Sequence, residues 1–451
     1  MTTTNEDLYI TEEINTDIEL PNLGDGFGAF SSLSGDGKRL VVGAPNYSNP
    51  NSEFSGKLDG RVYIYDLKTS TGTWEQSAII EKPGIFRNRN SSFGSAIAVS
   101  WDGNRIVLGV QCNEDGTNQS PIVYEFNSNL GWEQIGEKIT DSQIVAERPV
   151  VKISEEGDIV LTGYGGAVYL YGFDGNKWTT GPGDVAVEET TPGKGGHITK
   201  GSYISFVGGI ALSGDGKTIA IGGYAYGYDP PTKSYFLLHH AGRIQVLKVS
   251  GDVINGFTVT HFDKFQGSES GNDHLGEKDT ISLSRDGSVI LYGAYGSNHN
   301  TWNGNIFKGY FSVKEYSLDE KRKLDKHSYG AVQYSHLGRG VAISADGNTI
   351  MVGSGGSKPE QNDTNGFVQV YKFSEGEGWK KVKDYSNSDD SRGLDPICSM
   401  NSDGTIFAYG NGVDPVKTTV ESVKHNKLDF IYEKLEFLEK AANFNSFKLN
   451  N

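Results

Sequence analysis

The amino-acid sequence predicts an all-β chain, a seven-bladed β-propeller of four-stranded antiparallel blades whose last blade is closed by the N-terminal strand. Three observations predict it. Glycine supplies 60 of 451 residues and proline only 13, which asks for many tight turns and short strands. A pattern of apolar run, Ser-x-Asp-Gly, apolar run and Gly recurs along the chain, at Ser34, Ser100, Ser213, Ser284 and Ser344, and in weaker form at Ser154 and Asn401. Its mean spacing is about 61 residues, room for four short strands with their turns.

Taken in chain order, residues 8 to 20 precede the first Phe-Gly at the offset of a fourth strand and are expected to complete the last blade. Each Ser-x-Asp-Gly then reads as the turn of a hairpin, with Asp and Gly both at positive φ. Runs such as Ala96-Ile97-Ala98-Val99 are apolar at successive positions, so both faces of that strand are expected to be covered. A third strand follows at Gly60 to Tyr65, Ala167 to Tyr171, Gly242 to Val246 and Gly366 to Tyr371, and Trp74, Trp132, Trp178 and Trp379 open the fourth. Blades are expected to open near residues 27, 93, 147, 206, 275, 337 and 394 of a single domain, residues 1 to 440, followed by a tail from 441 to 451. In the last blade, Phe430 to Leu435 matches the third-strand pattern. The alternative reading of that stretch is an amphipathic helix carrying Leu428, Ile431, Leu435 and Leu438.

Charge narrows the partners. With 41 basic and 57 acidic residues the net charge is −16, which repels phosphate backbones and anionic lipid headgroups, so nucleic-acid binding is not expected; nor is membrane insertion, since nowhere do about eighteen apolar residues run together. Cys112 and Cys398 make no disulfide framework. The opening MTTTNEDLYITEE is acidic where a secretory signal is basic and then apolar, and a cytoplasmic location in the producing cell is the expectation.

The run from Phe27-Gly28 through Val41-Val42-Gly43-Ala44-Pro45 to Gly60-Arg61-Val62-Tyr63-Ile64-Tyr65 resembles the FG-GAP repeats of integrin-α-type propellers. It looks closest to cytosolic relatives of large DNA viruses and marine microbes. Leu275-Gly276 and Leu337-Gly338 stand as degenerate openings. The resemblance implies the propeller and admits association with a virus particle. It also implies a test for calcium, since integrin blades hold that ion in a D-x-D/N-x-D-G-x-x-D loop. Ser-x-Asp-Gly offers one carboxylate where several are needed, so no metal and no cofactor is expected, and Asp36 and its equivalents read as turn residues.

Enzymatic signatures are missing from the sequence: no Gly-x-Ser-x-Gly elbow, His-Glu-x-x-His helix or P-loop occurs, and Ser100-Trp101-Asp102-Gly103 fails the sialidase Asp-box by spacing. The connections between strands two and three differ greatly in length. The longest, Gly223 to Ala241, is the most aromatic, with Tyr224, Tyr226, Tyr228, Tyr235, Phe236, His239 and His240. The next blade adds Tyr295, His299, Trp302 and Phe307. Exposed aromatics give large contact area at small entropic cost. These residues are the candidate binding site of a non-enzymatic interaction or structural scaffold, such as a virion or assembly component, with a protein as partner. A glycan-binding propeller is the alternative, and a propeller hydrolase ranks last.

Overall fold

The computed structural model describes residues 8–14, 25–28, 30–48, 59–83, 92–109, 121–136, 150–164, 167–179, 197–198, 204–229, 234–237, 242–266, 274–277, 280–294, 310–316, 324–329, 337–354, 367–386, 398–410 and 418–424. They form a β-propeller of four-stranded antiparallel blades, with no helix among the described residues. Strand β1 (Leu8–Ile14) comes first in sequence and is used last. The first blade is β2 (Phe30–Leu33), β3 (Arg39–Ala44), β4 (Arg61–Lys68) and β5 (Thr73–Glu81). The second is β6 (Ile97–Val99), β7 (Arg105–Leu108), β8 (Ile122–Asn127) and β9 (Gly131–Gln134). The third is β10 (Val150–Ile153), β11 (Ile159–Tyr164), β12 (Ala167–Phe173) and β13 (Trp178–Thr179), with β14 (His197–Ile198) also on β12.

The fourth blade contains β15 (Ile204–Leu212), β16 (Thr218–Asp229), β18 (Arg243–Asp252) and β19 (Gly256–Gln266), and β17 (Ser234–Leu237) pairs with the far end of β16. The fifth is β20 (Ile281–Leu283), β21 (Val289–Ala294), β22 (Tyr310–Glu315) and β23 (Leu324–Tyr329). The sixth is β24 (Leu337–Ile343), β25 (Thr349–Ser354), β26 (Phe367–Ser374) and β27 (Gly378–Ser386). The last sheet runs β28 (Cys398–Met400), β29 (Ile406–Gly410), β30 (Thr418–Lys424) and then β1.

Leu8 pairs with Lys424 and Ile14 with Thr418, so a segment from the start of the chain is the outer strand of the last sheet. Its third strand departs from the sequence expectation. Thr418–Lys424 occupies that place, and Phe430 to Leu435 lies outside the described residues, as do Leu428 and Leu438. Four of the seven residues of β30 are β-branched, which suits a pleated surface even without the aromatic pattern of the other third strands.

The turns also correct an expectation. Only the glycine of each motif has positive φ, 63–73° at Gly37, Gly103, Gly157, Gly216, Gly287, Gly347 and Gly404. The Gly37 amide donates to Ser34 O, and the Ser34 amide to Arg39 O, which describes a longer turn ending in one left-handed residue rather than a two-residue Asp-Gly hairpin. Serine and aspartate organise that turn. Ser34 Oγ accepts from the amides of Lys38 and Arg39 and donates to Asp36 Oδ1 at 2.7 Å, and Asp36 Oδ1 accepts from the Lys38 amide. The weak copies use substitutes: Asn401 Oδ1 accepts from the amides of Thr405 and Ile406, and Ser154 donates to Asp158, two residues later than usual. Ser213→Ala should therefore cost roughly 1–3 kcal/mol in urea unfolding, because the buried Thr218 amide loses its acceptor. An unchanged midpoint would contradict the role given to the hydroxyl.

Between neighbouring sheets lie the cores. One joins Val41, Val62 and Ile64 of the first blade to Phe93, Ile106 and Leu108 of the second; another joins Leu161 and Leu170 of the third to Ile219 and Leu247 of the fourth. Each Phe-Gly opening serves such a junction. Phe93 is fully buried, Leu275 and Leu337 fill the equivalent places, and Gly94 O rests against Gly43 so closely that a Cβ there would meet it at 2.1 Å. Gly276 on Gly222 and Gly338 on Gly293 repeat the contact. Three of the four fourth-strand tryptophans stack on an aromatic facing them across the strand pair: Trp132 on Phe126, Trp178 on Phe173 and Trp379 on Phe373, with centroids 5.0–5.5 Å apart. Arg39 clamps two blades, binding Asp66 of its own, donating to Gly103 O of the next, and lying 4.8 Å from the Phe126 centroid.

Candidate functional site

The turns close into a ring. Amides of Asp36, Trp101, Glu155, Asp215, Arg285, Ala345 and Ser402 donate in turn to the carbonyls of Trp101, Glu155, Gly214, Arg285, Ala345, Ser402 and Gly35. The circuit returns to its first member. At the same junction the Leu33 amide donates to Ser399 Oγ at 2.8 Å, joining the last sheet's inner strand to the first blade's.

The second residue of each motif, the variable x, projects from this ring. Trp101 lies over Gly35, where a Cβ would meet its ring at 2.2 Å, and reaches Ser402 of the last sheet by the same place. Glu155 lies over Gly214, pairs with Arg285 two blades away at 2.6 Å, and hydrogen-bonds Ser402 from the far side of the ring. Burial pushes the Glu155 carboxyl above its ordinary range, against the opposing pull of Arg285 and Ser402. Trp101, Glu155, Arg285 and Ser402 thus gather over the turn end of the ring as an open plug, with Trp101 and Arg285 still exposed to solvent. The turn aspartates behave differently. Burial works to raise Asp102 and Asp286, but hydrogen bonds from their own turns outweigh it and hold both carboxyls below the usual range.

Inside the plug is a cavity of about 220 Å³ lined by inner strands, from Phe30, Ser31 and Ser32 through Lys152 to Ser399. Of its lining side chains, Lys152 and Cys398 are the ionisable ones. No group of three or more His, Cys, Asp or Glu side chains able to hold a metal ion occurs among the described residues. Among them, too, no helix is long and apolar enough to cross a membrane.

The candidate aromatics fall partly outside this geometry. Tyr224, Tyr226 and Tyr228 belong to β16, and Tyr235 and Phe236 to β17, so half of what the sequence reads as a loop is a two-stranded ribbon. Its register sets Tyr228 opposite Tyr235, Tyr226 opposite Leu237 and Gly227 opposite Phe236. By strand alternation positions 224, 226, 228, 235 and 237 share one face and 236 takes the other. The six residues from Thr218 to Gly223 pair with β18, whereas Tyr226 to Asp229 pair with β17, so the ribbon continues past the blade. His239, His240, Tyr295, His299, Trp302 and Phe307 lie outside the described residues.

Aligned copy by copy, the repeat itself carries the signal for these residues. The x column reads Gly, Trp, Glu, Gly, Arg, Ala, Ser. The column two residues before each motif reads Ser, Ala, Lys, Ala, Ser, Ala, Ser, with Lys152 as its one charged member.

Compared with known proteins, the chain matches no family model and no curated protein. Solved structures do resemble it. A crystal structure of a protein from Lactobacillus plantarum aligns at 11% identity and a TM-score of 0.46, covering 83% of this chain and 89% of that one. A functionally unknown protein from Desulfotomaculum acetoxidans aligns at 15% identity and a TM-score of 0.45, covering 77% and 85%.

Proposed function

We propose that the protein is a non-enzymatic scaffold that holds a protein partner on the ribbon of β16 and β17, as a structural component of an assembly. The observation that carries this reading is the ribbon itself. It extends a strand of the fourth blade beyond the sheet and sets Tyr228 opposite Tyr235 on one face. A strand pair anchored at its base holds aromatic positions in fixed order, which lowers the entropy lost on binding. The outer edge of a two-stranded ribbon also offers backbone groups to an incoming strand.

We assign the repeat to the FG-GAP type on the same terms. The supporting observation is that its two signature glycines face one another across a blade junction, Gly94 against Gly43, which gives both a packing reason. Residence in the cytoplasm or a virus particle belongs to this proposal.

Capture from an extract of the native source tests it. The intact chain should retain a protein that a Tyr228→Ser/Tyr235→Ser chain loses, read by mass spectrometry of proteins and glycans alike. Capture of a glycan, or equal capture by both chains, would contradict the reading.

A further inference from the structure

Lys152 breaks the rule of its column. The other six copies hold Ser32, Ala98, Ala211, Ser282, Ala342 and Ser399 there, small residues that fit where blades converge on the axis. Lys152 lines the axial cavity with no hydrogen bond or ion pair among the described residues. The nearest acid in sequence, Glu155, is already paired with Arg285 in the plug. Serines from several blades, Ser32, Ser282 and Ser399, line the same cavity. An ammonium without a partner, in a cavity that hydroxyl-bearing residues line, describes a place prepared for an acceptor.

The geometry points to a binding site for a small oxyanion, a carboxylate or a phosphate, in the axial cavity, with Lys152 as its counter-charge and the serine hydroxyls as donors. A volume of about 220 Å³ is room for a small ligand together with ordered water. That admits inorganic phosphate or a short dicarboxylate. A carboxylate or phosphate accepts several hydrogen bonds at once, and charge-assisted bonds are the strong ones. The site is independent of the ribbon, so either proposal can fail alone.

The probes are inorganic phosphate and succinate, each against chloride at matched ionic strength, with the full chain followed by thermal melting and titration calorimetry. At least one probe should raise the melting temperature saturably and bind at one site per chain. Lys152→Ala should abolish that response, and Lys152→Arg should retain it. Without probe, Lys152→Ala should melt at or above the parent temperature, since alanine already occupies this position in three other copies. Response to phosphate alone or to succinate alone would identify the source. No saturable response to either, or an equal response from Lys152→Ala, would overturn the proposal. A Lys152→Ala chain that fails to fold would overturn it too, by showing the ammonium to be a strut.

Discussion

Gly43→Ala should be among the most damaging single substitutions in the chain, lowering stability by roughly 3 kcal/mol or more. The new Cβ would lie 2.1 Å from Gly94 O and 3.1 Å from Gly94 C, both backbone atoms of the next blade. Gly43 sits in β3, held by β2 on one side and β4 on the other, so the strand cannot yield without breaking a ladder. The residue does not have positive φ, and alanine is conformationally acceptable there. The loss would therefore measure contact between blades alone. Gly72→Ala is the control: its φ is +75° and nothing lies within 4 Å of the added Cβ, so only left-handed strain is felt, about 1 kcal/mol. Urea midpoints for the two variants should differ clearly, and equal losses would contradict the packing assigned to the junction.

Deleting Met1 to Ile14 should have a larger effect still, on the whole ring. It removes β1 and leaves all seven residues of β30 as an unpaired edge. The last sheet would keep its bonds to the first blade, Leu33 N to Ser399 Oγ and Ser402 N to Gly35 O, and the packing of Ala408 and Phe407 on its two neighbours, but with one strand fewer. An exposed, β-branched edge is a template for pairing with another chain. The truncated protein should aggregate or melt far below its parent in light scattering followed with temperature. A monomer that melts like the parent would contradict the closure.

Much of this fold was legible because the repeat is a record of local chemistry. The Ser-x-Asp-Gly turns, the tryptophan that follows strand three and the paired glycines of the openings all reflect contacts within a blade or with its immediate neighbour, and such contacts recur wherever the blade recurs. What the repeat does not encode was misread. Thr418 to Lys424 lacks the aromatic third-strand pattern, and Phe430 to Leu435 imitates it, yet pairing goes to the nearer β-branched segment. The turn type was misjudged because Asp-Gly is ambiguous until the bonds of Ser34 are known. Residues 223 to 241 read as a loop because β16 gives no polar break where it leaves the blade. Lys152 and the plug belong to the ring as a whole: Glu155 meets Ser402 across 247 positions of sequence, a contact no local pattern announces.

Exchanging the ribbon tests directly the proposed division of roles, stability from the ring and recognition from the ribbon. Tyr226 and Leu237 are paired, so replacing residues 227 to 236 by Asn-Gly closes the same pair with a two-residue turn and removes Tyr228, Tyr235 and Phe236. The measurement is partner capture by the exchanged protein, scored beside its circular dichroism melt. The account predicts a cooperative melt within about 1 kcal/mol of the parent, because a ribbon closed at its base contributes little to the ring, together with loss of the captured partner. Undiminished capture by a folded protein, or collapse of the cooperative melt, would contradict it.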